Sequence, residues 1–308
     1  KSNYIYNFCM QKKVKILIDS SSTFDKKFLD KNNISVIPLS LSDNANKVYT
    51  DDGISINPEI LFDEIQKGNK FKTSCTPLGQ LMMAIEDALE DNDIVFFIPI
   101  SHGLSSQYNQ AKILEEDYPG RFFVINSTSA AYANEYVCTK LLDLVKKLDD
   151  PKEIVSKCEQ LYLNTDTYFS CEDVSDLLKG GRVTQGIIKV VKLLKLKPII
   201  LLDVKNQKAG MSRNYRDNTN KMIKLINEDY ENKLKSSDIE SIAIYYSGYE
   251  DEKKNFLLDS FSKAFEFLKE KIVIRWVPTV VLAHTRKGAY GITICTKNPH
   301  KLREIKVD

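Results

Sequence analysis

Short β-branched runs alternate with amphipathic runs of helix length through the first half of this chain, and that alternation restricts the fold more than any other feature. "VKILIDSS" (14 to 21), "ISVIPLSL" (34 to 41), "DIVFFIPI" (93 to 100) and "RFFVIN" (121 to 126) read as strands bounded by polar or turn residues. Between them, "NPEILFDEIQKG", "TPLGQLMMAIEDALEDN" and "SSQYNQAKILEED" read as helices with polar starts. Strands separated by helices imply a parallel sheet with both faces covered. A first domain is expected over residues 1–151, ending near "LDDPKE" after a long helical stretch.

Residues 152–308 keep the alternation but change its order. "TYFSC", "KPIILLD" (197 to 203), "IESIAIYYSG" (239 to 248), "IVIRWV" and "VVLAHT" (272 to 285), and "GITICT" (291 to 296) read as strands. The last of these crowd together without helices between them, so the second sheet is expected to be mixed. Helices are expected at "EDVSDLLKGG", around 186 to 195, and over "NYRDNTNKMIKLINEDYENKLK" and "DEKKNFLLDSFSKAFEFLKE". The expected fold class is α/β: an N-terminal parallel sheet flanked by helices and a C-terminal mixed sheet with helices.

A chain of 308 residues suits two cores better than one, because single cores stop growing near roughly 250–300 residues. With 44 basic against 42 acidic residues the charge is balanced, and no nucleic acid partner is implied. The most apolar run, "IVFFIPI" (94 to 100), has strand length, well short of the roughly 18–20 residues of a membrane span. "KSNYIYNFCMQKK" lacks the apolar centre and small-residue cleavage site of a secretory signal. The six cysteines, at 9, 75, 138, 158, 171 and 295, form no C-x-x-C pair, which argues against zinc or a disulfide framework and for a cytoplasmic location. No metal and no cofactor are expected.

Chemistry concentrates in two hydroxyl-rich stretches. In "KTSCTPLGQ" (72 to 80), Thr76 and Pro77 have the form of an N-cap and first helical residue, with Thr73, Ser74 and Cys75 leading up to them. Cys75 reads as an inert small residue in preference to a nucleophile. "SHGLSSQ" (101 to 107) follows a strand and opens the next helix. Ser and Thr before a helix are ordinarily caps, but these stretches carry more hydroxyls than capping requires. Ligands of α/β sheets sit beyond the carboxyl ends of the strands, so the two stretches together would suit a small anion. In "LLKGGRV" the glycines read as a helix stop, while the planar fork of Arg182 suits a carboxylate. "VVLAHTRKGAYG" sets His284 at the end of an apolar run.

These segments carry a resemblance. "ILIDSSSTF", "VIPLSL", "TSCTP", "ISHGLSS", "GGRVTQG" with "LLKLKPIILLD", and "AHTRKGAYGI" occur in the order and approximate spacing of the DegV family, from about residue 14 to 296. The resemblance implies two α/β domains with a long-chain fatty acid between them, its carboxylate held at the junction. It implies a lipid-binding subunit and not a catalyst: the protein would present the acyl chain to a partner, a fatty acid kinase, for conversion to acyl phosphate in phospholipid synthesis. The absence of a G-x-x-x-x-G-K-[ST] loop agrees with that. Carried over residue by residue, the head-group roles fall on Thr73, Ser105, Arg182 and His284, with Ser74 and Ser106 as second candidates.

The chain departs from the family at the same places. It reads "LSSQY" (104 to 108) for the usual "LSGTY", "HTRKGA" (284 to 289) for "HTGPGA", and "TSCTP" for "TSQPS", and it has His102 where serine is usual. Ser106 is thus expected to narrow the approach to the head group, and Arg286 and Lys287 to add charge or reshape the surface a kinase meets. Two other classes are open. Ser105, His284 and Asp19 would make a hydrolase triad acting on acyl esters, although "HGLSSQY" is not a G-x-S-x-G elbow. Asp19 and the "DSSST" loop would suit a small-anion or nucleotide module, but no glycine-rich phosphate turn accompanies them.

Overall fold

The computed structural model describes residues 12–172, 177, 179–182, 196–203, 206–229, 238–248 and 251–299. The helix expected around 186 to 195, and half of that expected over "EDVSDLLKGG", lie outside the described residues.

Four apolar runs form a parallel sheet: β1 (Val14–Asp19), β2 (Ile34–Ile37), β6 (Ile94–Ile98) and β7 (Phe122–Val124), in the order β2-β1-β6-β7. Alternate side chains serve opposite faces. Leu17, Val95 and Phe97 meet Leu81 and Ile85 of α3 (Leu78–Asp91) and Leu114 of α4 (Gln107–Glu115). On the other face, Ile16, Ile18 and Phe96 meet Val137 of α5 (Tyr132–Leu144) and Ile154 of α6 (Pro151–Leu161). With helices on both faces, the strands are apolar on both sides, as a parallel sheet requires. The shorter α1 (Lys26–Lys31), capped by Asp25, links β1 to β2.

The run "ISVIPLSL" does not form one strand. Pro38 interrupts it, and β3 (Ser40–Asp43) leaves the parallel sheet for a small antiparallel one, pairing with β4 (Val48–Thr50) and β5 (Phe71–Ser74). A proline removes a ladder donor, so the chain changes sheets there. Helix α2 (Pro58–Gln66), with Asn57 capping Ile60 N at 2.9 Å, leads on to β5.

The second sheet is mixed, in the order β10-β9-β8-β13-β11-β12, built from β8 (Thr165–Ser170), β9 (Lys197–Leu202), β10 (Gln207–Ser212), β11 (Ile239–Tyr246), β12 (Ile272–Trp276) and β13 (Tyr290–Thr296). Among its described pairs only β11 with β12 is parallel. One face packs on Met222 and Ile226 of α7 (Tyr215–Asp229) and on Leu257 and Phe261 of α8 (Asp251–Ala264). The other face carries Phe169, Ile200 and Tyr245 and shares a core with Leu39, Leu41 and Phe71 of the small sheet and its approach.

That shared core contains a correction. The run "VVLAHT", expected as a strand, is a helix, α9 (Thr279–Thr285), entered through Pro278 and packed against α2 and β5. Val280, Leu282 and Ala283 are all buried. A seven-residue, mostly buried helix is too short to show an amphipathic stripe, and its β-branched residues imitate a strand. Among the described residues no helix is long and apolar enough to cross a membrane.

Candidate functional site

The order β2-β1-β6-β7 places neighbouring strands β1 and β6 at the point where the winding of the sheet reverses, the place where α/β sheets open a crevice. Loops leaving both strands meet there through Asp19. Its Oδ1 accepts from Ser21 N at 3.1 Å and Ser21 Oγ at 2.5 Å, and its Oδ2 accepts from Ile100 N at 2.6 Å. Burial pushes the Asp19 carboxyl up to about 6, against the pull of those hydrogen bonds.

From this junction the segment Ser101–Ser105 turns toward the second sheet. Leu104 N and Ser105 N both donate to Ser101 O. Ser105 Oγ accepts from the N–H of Gln107, the first residue of α4, at 3.2 Å and lies 3.6 Å from Cys75 Sγ. Thr73 and Ser74 end β5 in place of forming a loop, a second correction. Thr76 is not the cap of α3: Pro77 holds that position with no side-chain bond, and Thr76 Oγ1 donates to Pro38 O at 2.8 Å. Gln107 accounts for this. Fully buried, it accepts from Thr76 N and donates to Thr76 Oγ1, each at 3.0 Å, and so locks the two hydroxyl-rich segments together.

Thr73 shares a strand face with Phe71, which is buried in the core between the sheets. That orientation brings Thr73 Oγ1 within 2.7 Å of His284 Nε2 on α9, the donor being set by the imidazole tautomer. Arg182 comes from the other side. Its Nε donates to Leu104 O at 3.1 Å and its Nη1 to Gly180 O at 2.5 Å, so the guanidinium already rests on the Ser105 loop. Asn206, in the turn before β10, ties the same pieces: its Nδ2 donates to Arg182 O at 2.9 Å and to Gly103 O at 3.3 Å.

These groups line a cavity between the small sheet and the six-stranded sheet. Thr73, Ser74, Ser105, Arg182, Asn206 and His284 are its polar lining. The rest of the lining is apolar, from Leu39, Ile100 and Leu104 on one side to Phe169, Ile200 and Val280 on the other. The void measures about 660 Å³ with the open solvent at its mouth included. It is a mostly apolar pocket with a few convergent polar groups, the usual make-up of a small-molecule site.

Of the six candidates read from the sequence, five line this cavity. Ser106 does not; it is exposed at the start of α4. Departure at that position therefore leaves the cavity wall unchanged. His102 is turned to Asn126 Oδ1 at 3.1 Å and to the Tyr108 ring, away from the lining. Gln107 and Asn206 were not foreseen. The exchange of Thr for Gln in "LSSQY" marked the first, and an Asn in a polar stretch before a strand marked the second. No group of three or more His, Cys, Asp or Glu able to hold a metal occurs among the described residues.

A family model described as "Uncharacterised protein, DegV family" matches residues 13–297. The chain belongs to the DegV family. A DegV domain-containing protein of Ureaplasma parvum serovar 3 is 34% identical over 297 residues, covering 96% of this chain and 100% of the relative. Among solved structures, DegV of Bacillus subtilis, described as a fatty acid binding protein, superposes with a TM-score of 0.79 at 22% identity, over 93% of this chain and 100% of that one. A stearic acid-binding protein of Eubacterium ventriosum superposes equally well, at 0.79 and 20% identity, over 92% and 98% of the two chains. The α/β architecture, with its parallel and mixed sheets, is thus the DegV fold.

Proposed function

We propose that this DegV protein binds a long-chain fatty acid, with the acyl chain in the cavity between the sheets and the carboxyl end among Thr73, Ser105, Arg182 and His284. It then presents that end to a separate fatty acid kinase in the cytoplasm for conversion to acyl phosphate, the first step toward phospholipid. The observation that carries this reading is a largely apolar cavity whose lining also holds Thr73, Ser105, Arg182 and His284. A polymethylene chain fills an apolar cavity with favourable burial, while a carboxyl group needs hydrogen-bond partners once it leaves water. Thr73 and Ser105 offer hydroxyls, and the guanidinium of Arg182 retains donors beyond the two spent on carbonyls. The fatty acid-binding neighbours of the same fold support the ligand class.

The esterase reading finds no support in the geometry. Asp19 is occupied by Ser21 and Ile100, Ser105 Oγ by Gln107 and Cys75, and the His284 ring meets Thr73, so the three groups do not form a relay.

Mass spectrometry of an organic extract of the natively folded protein tests the ligand. A stoichiometric long-chain fatty acid is expected; an empty protein that also takes up no added fatty acid overturns the reading. For the kinase step, the loaded protein should yield acyl phosphate with a fatty acid kinase and ATP, and none with ATP alone.

A further inference from the structure

Asn206 is 2% exposed, lines the cavity beside Arg182, and has a φ of 47°, in the left-handed region that Asn tolerates. The two carbonyls that receive its Nδ2, those of Arg182 and Gly103, fix the orientation of the amide. Turned over, the amide would set Oδ1 against two acceptors. Oδ1 is consequently left buried and without a hydrogen-bond partner. Native interiors rarely leave such an acceptor unmet unless a ligand or water supplies the donor.

We propose that Asn206 is a further head-group residue, its Oδ1 accepting a hydrogen bond from an O–H on the polar end of the ligand. The inference rests on the fatty-acid reading of the cavity. An O–H at that end has two sources, the protonated carboxyl group or the hydroxyl of a long-chain primary alcohol. An ionised carboxylate has acceptors only and faces Oδ1 without a donor. Burial favours the neutral acid. The opposing influences are the charge of Arg182, whose Nε and Nη1 already point to Leu104 O and Gly180 O, and a proton on His284, which lines the same cavity.

Affinities of palmitic acid, cetyl alcohol and methyl palmitate, measured on the full chain by displacement of a fluorescent fatty acid, test this in the wild type and Asn206→Gly. Glycine keeps the turn and removes the amide. The wild type should prefer the alcohol to the ester by roughly five- to thirtyfold, the value of one buried hydrogen bond. Asn206→Gly should lose that preference, the bulk of the ester methyl being common to both proteins. A wild type without the preference, or a preference that survives in Asn206→Gly, overturns the proposal. Acid affinity that falls between about pH 5 and about pH 8 in the wild type, and stays flat in Asn206→Gly, assigns the donor to the carboxyl group; discrimination confined to the alcohol assigns it to the hydroxyl. Binding of all three ligands without discrimination defeats this proposal alone, whereas binding of none defeats the fatty-acid reading with it.

Discussion

Thr73 shows how much one side chain can depend on its neighbours. Its hydroxyl faces the cavity because β5 alternates, and its bond to His284 Nε2 at 2.7 Å joins the small sheet to α9. Removing that hydroxyl takes the bond from the imidazole and, on the proposed reading, a partner from the ligand as well. Arg182→Ala should therefore weaken fatty acid binding roughly tenfold to a hundredfold, and adding Thr73→Val and Ser105→Ala should weaken it further. Equal affinities for the wild type and the triple variant, by fluorescence titration, would remove these residues from the head-group site. Asp51 contributes at a distance. Buried against the hydroxyls of Ser20 and Thr279, its carboxyl is pushed up to about 7 by burial, while its Oδ2 has no hydrogen-bond partner. Between about pH 4 and about pH 7 the native chain thus holds a proton that the unfolded chain has released, so stability falls as pH rises through that window. Asp19 acts with the same sign up to about pH 6. Asp51→Asn is neutral at every pH and should shrink the fall, measured by urea unfolding at both ends of the window; an undiminished fall would refute it.

Elements differed in how plainly the sequence announced them. The parallel strands were legible because burial on both faces produces unbroken apolar runs such as "IVFFI". The small sheet was not, since β5 reads "FKTS" and β4 only "VYT", too short and polar to show a period. Helix α9 misled for the opposite reason, being mostly buried and rich in β-branched residues. The hydroxyl-rich segments were legible as an excess over capping needs, but the amides of Gln107 and Asn206 obey no spacing and became visible only through their partners. Helix α9 also ends under strain. Arg286, where DegV sequences usually carry Gly, has φ 54° and ψ −149°, a region open almost only to glycine. Its N–H still closes on Leu282 O at 2.7 Å and its carbonyl accepts from Ser247 Oγ at 3.3 Å, so the surroundings impose the conformation. Arg286→Gly should raise stability by about 1–3 kcal/mol, seen as a higher urea midpoint with an unchanged slope. A lower midpoint would show that the arginine side chain contributes more than its backbone costs.

For the whole molecule, the cavity lies inside the core shared by the two sheets, where Leu39, Phe169, Ile200 and Val280 are at once core residues and cavity wall. A ligand that binds the folded chain alone adds stability in proportion to the logarithm of its concentration over Kd, about 2.7 kcal/mol at a hundredfold excess. Delipidated protein should accordingly melt several degrees below the loaded form, and added fatty acid should restore the difference; coincident melting curves would place the lipid elsewhere. If the proposed lipid fills that cavity, part of the core comes from the lipid pool and the lifetime of the protein depends on that pool. Starved of acyl chains, such a protein would open more often, and the opened state is what proteases cut. Its abundance in the cell would then rise and fall with lipid supply, with no change in its synthesis.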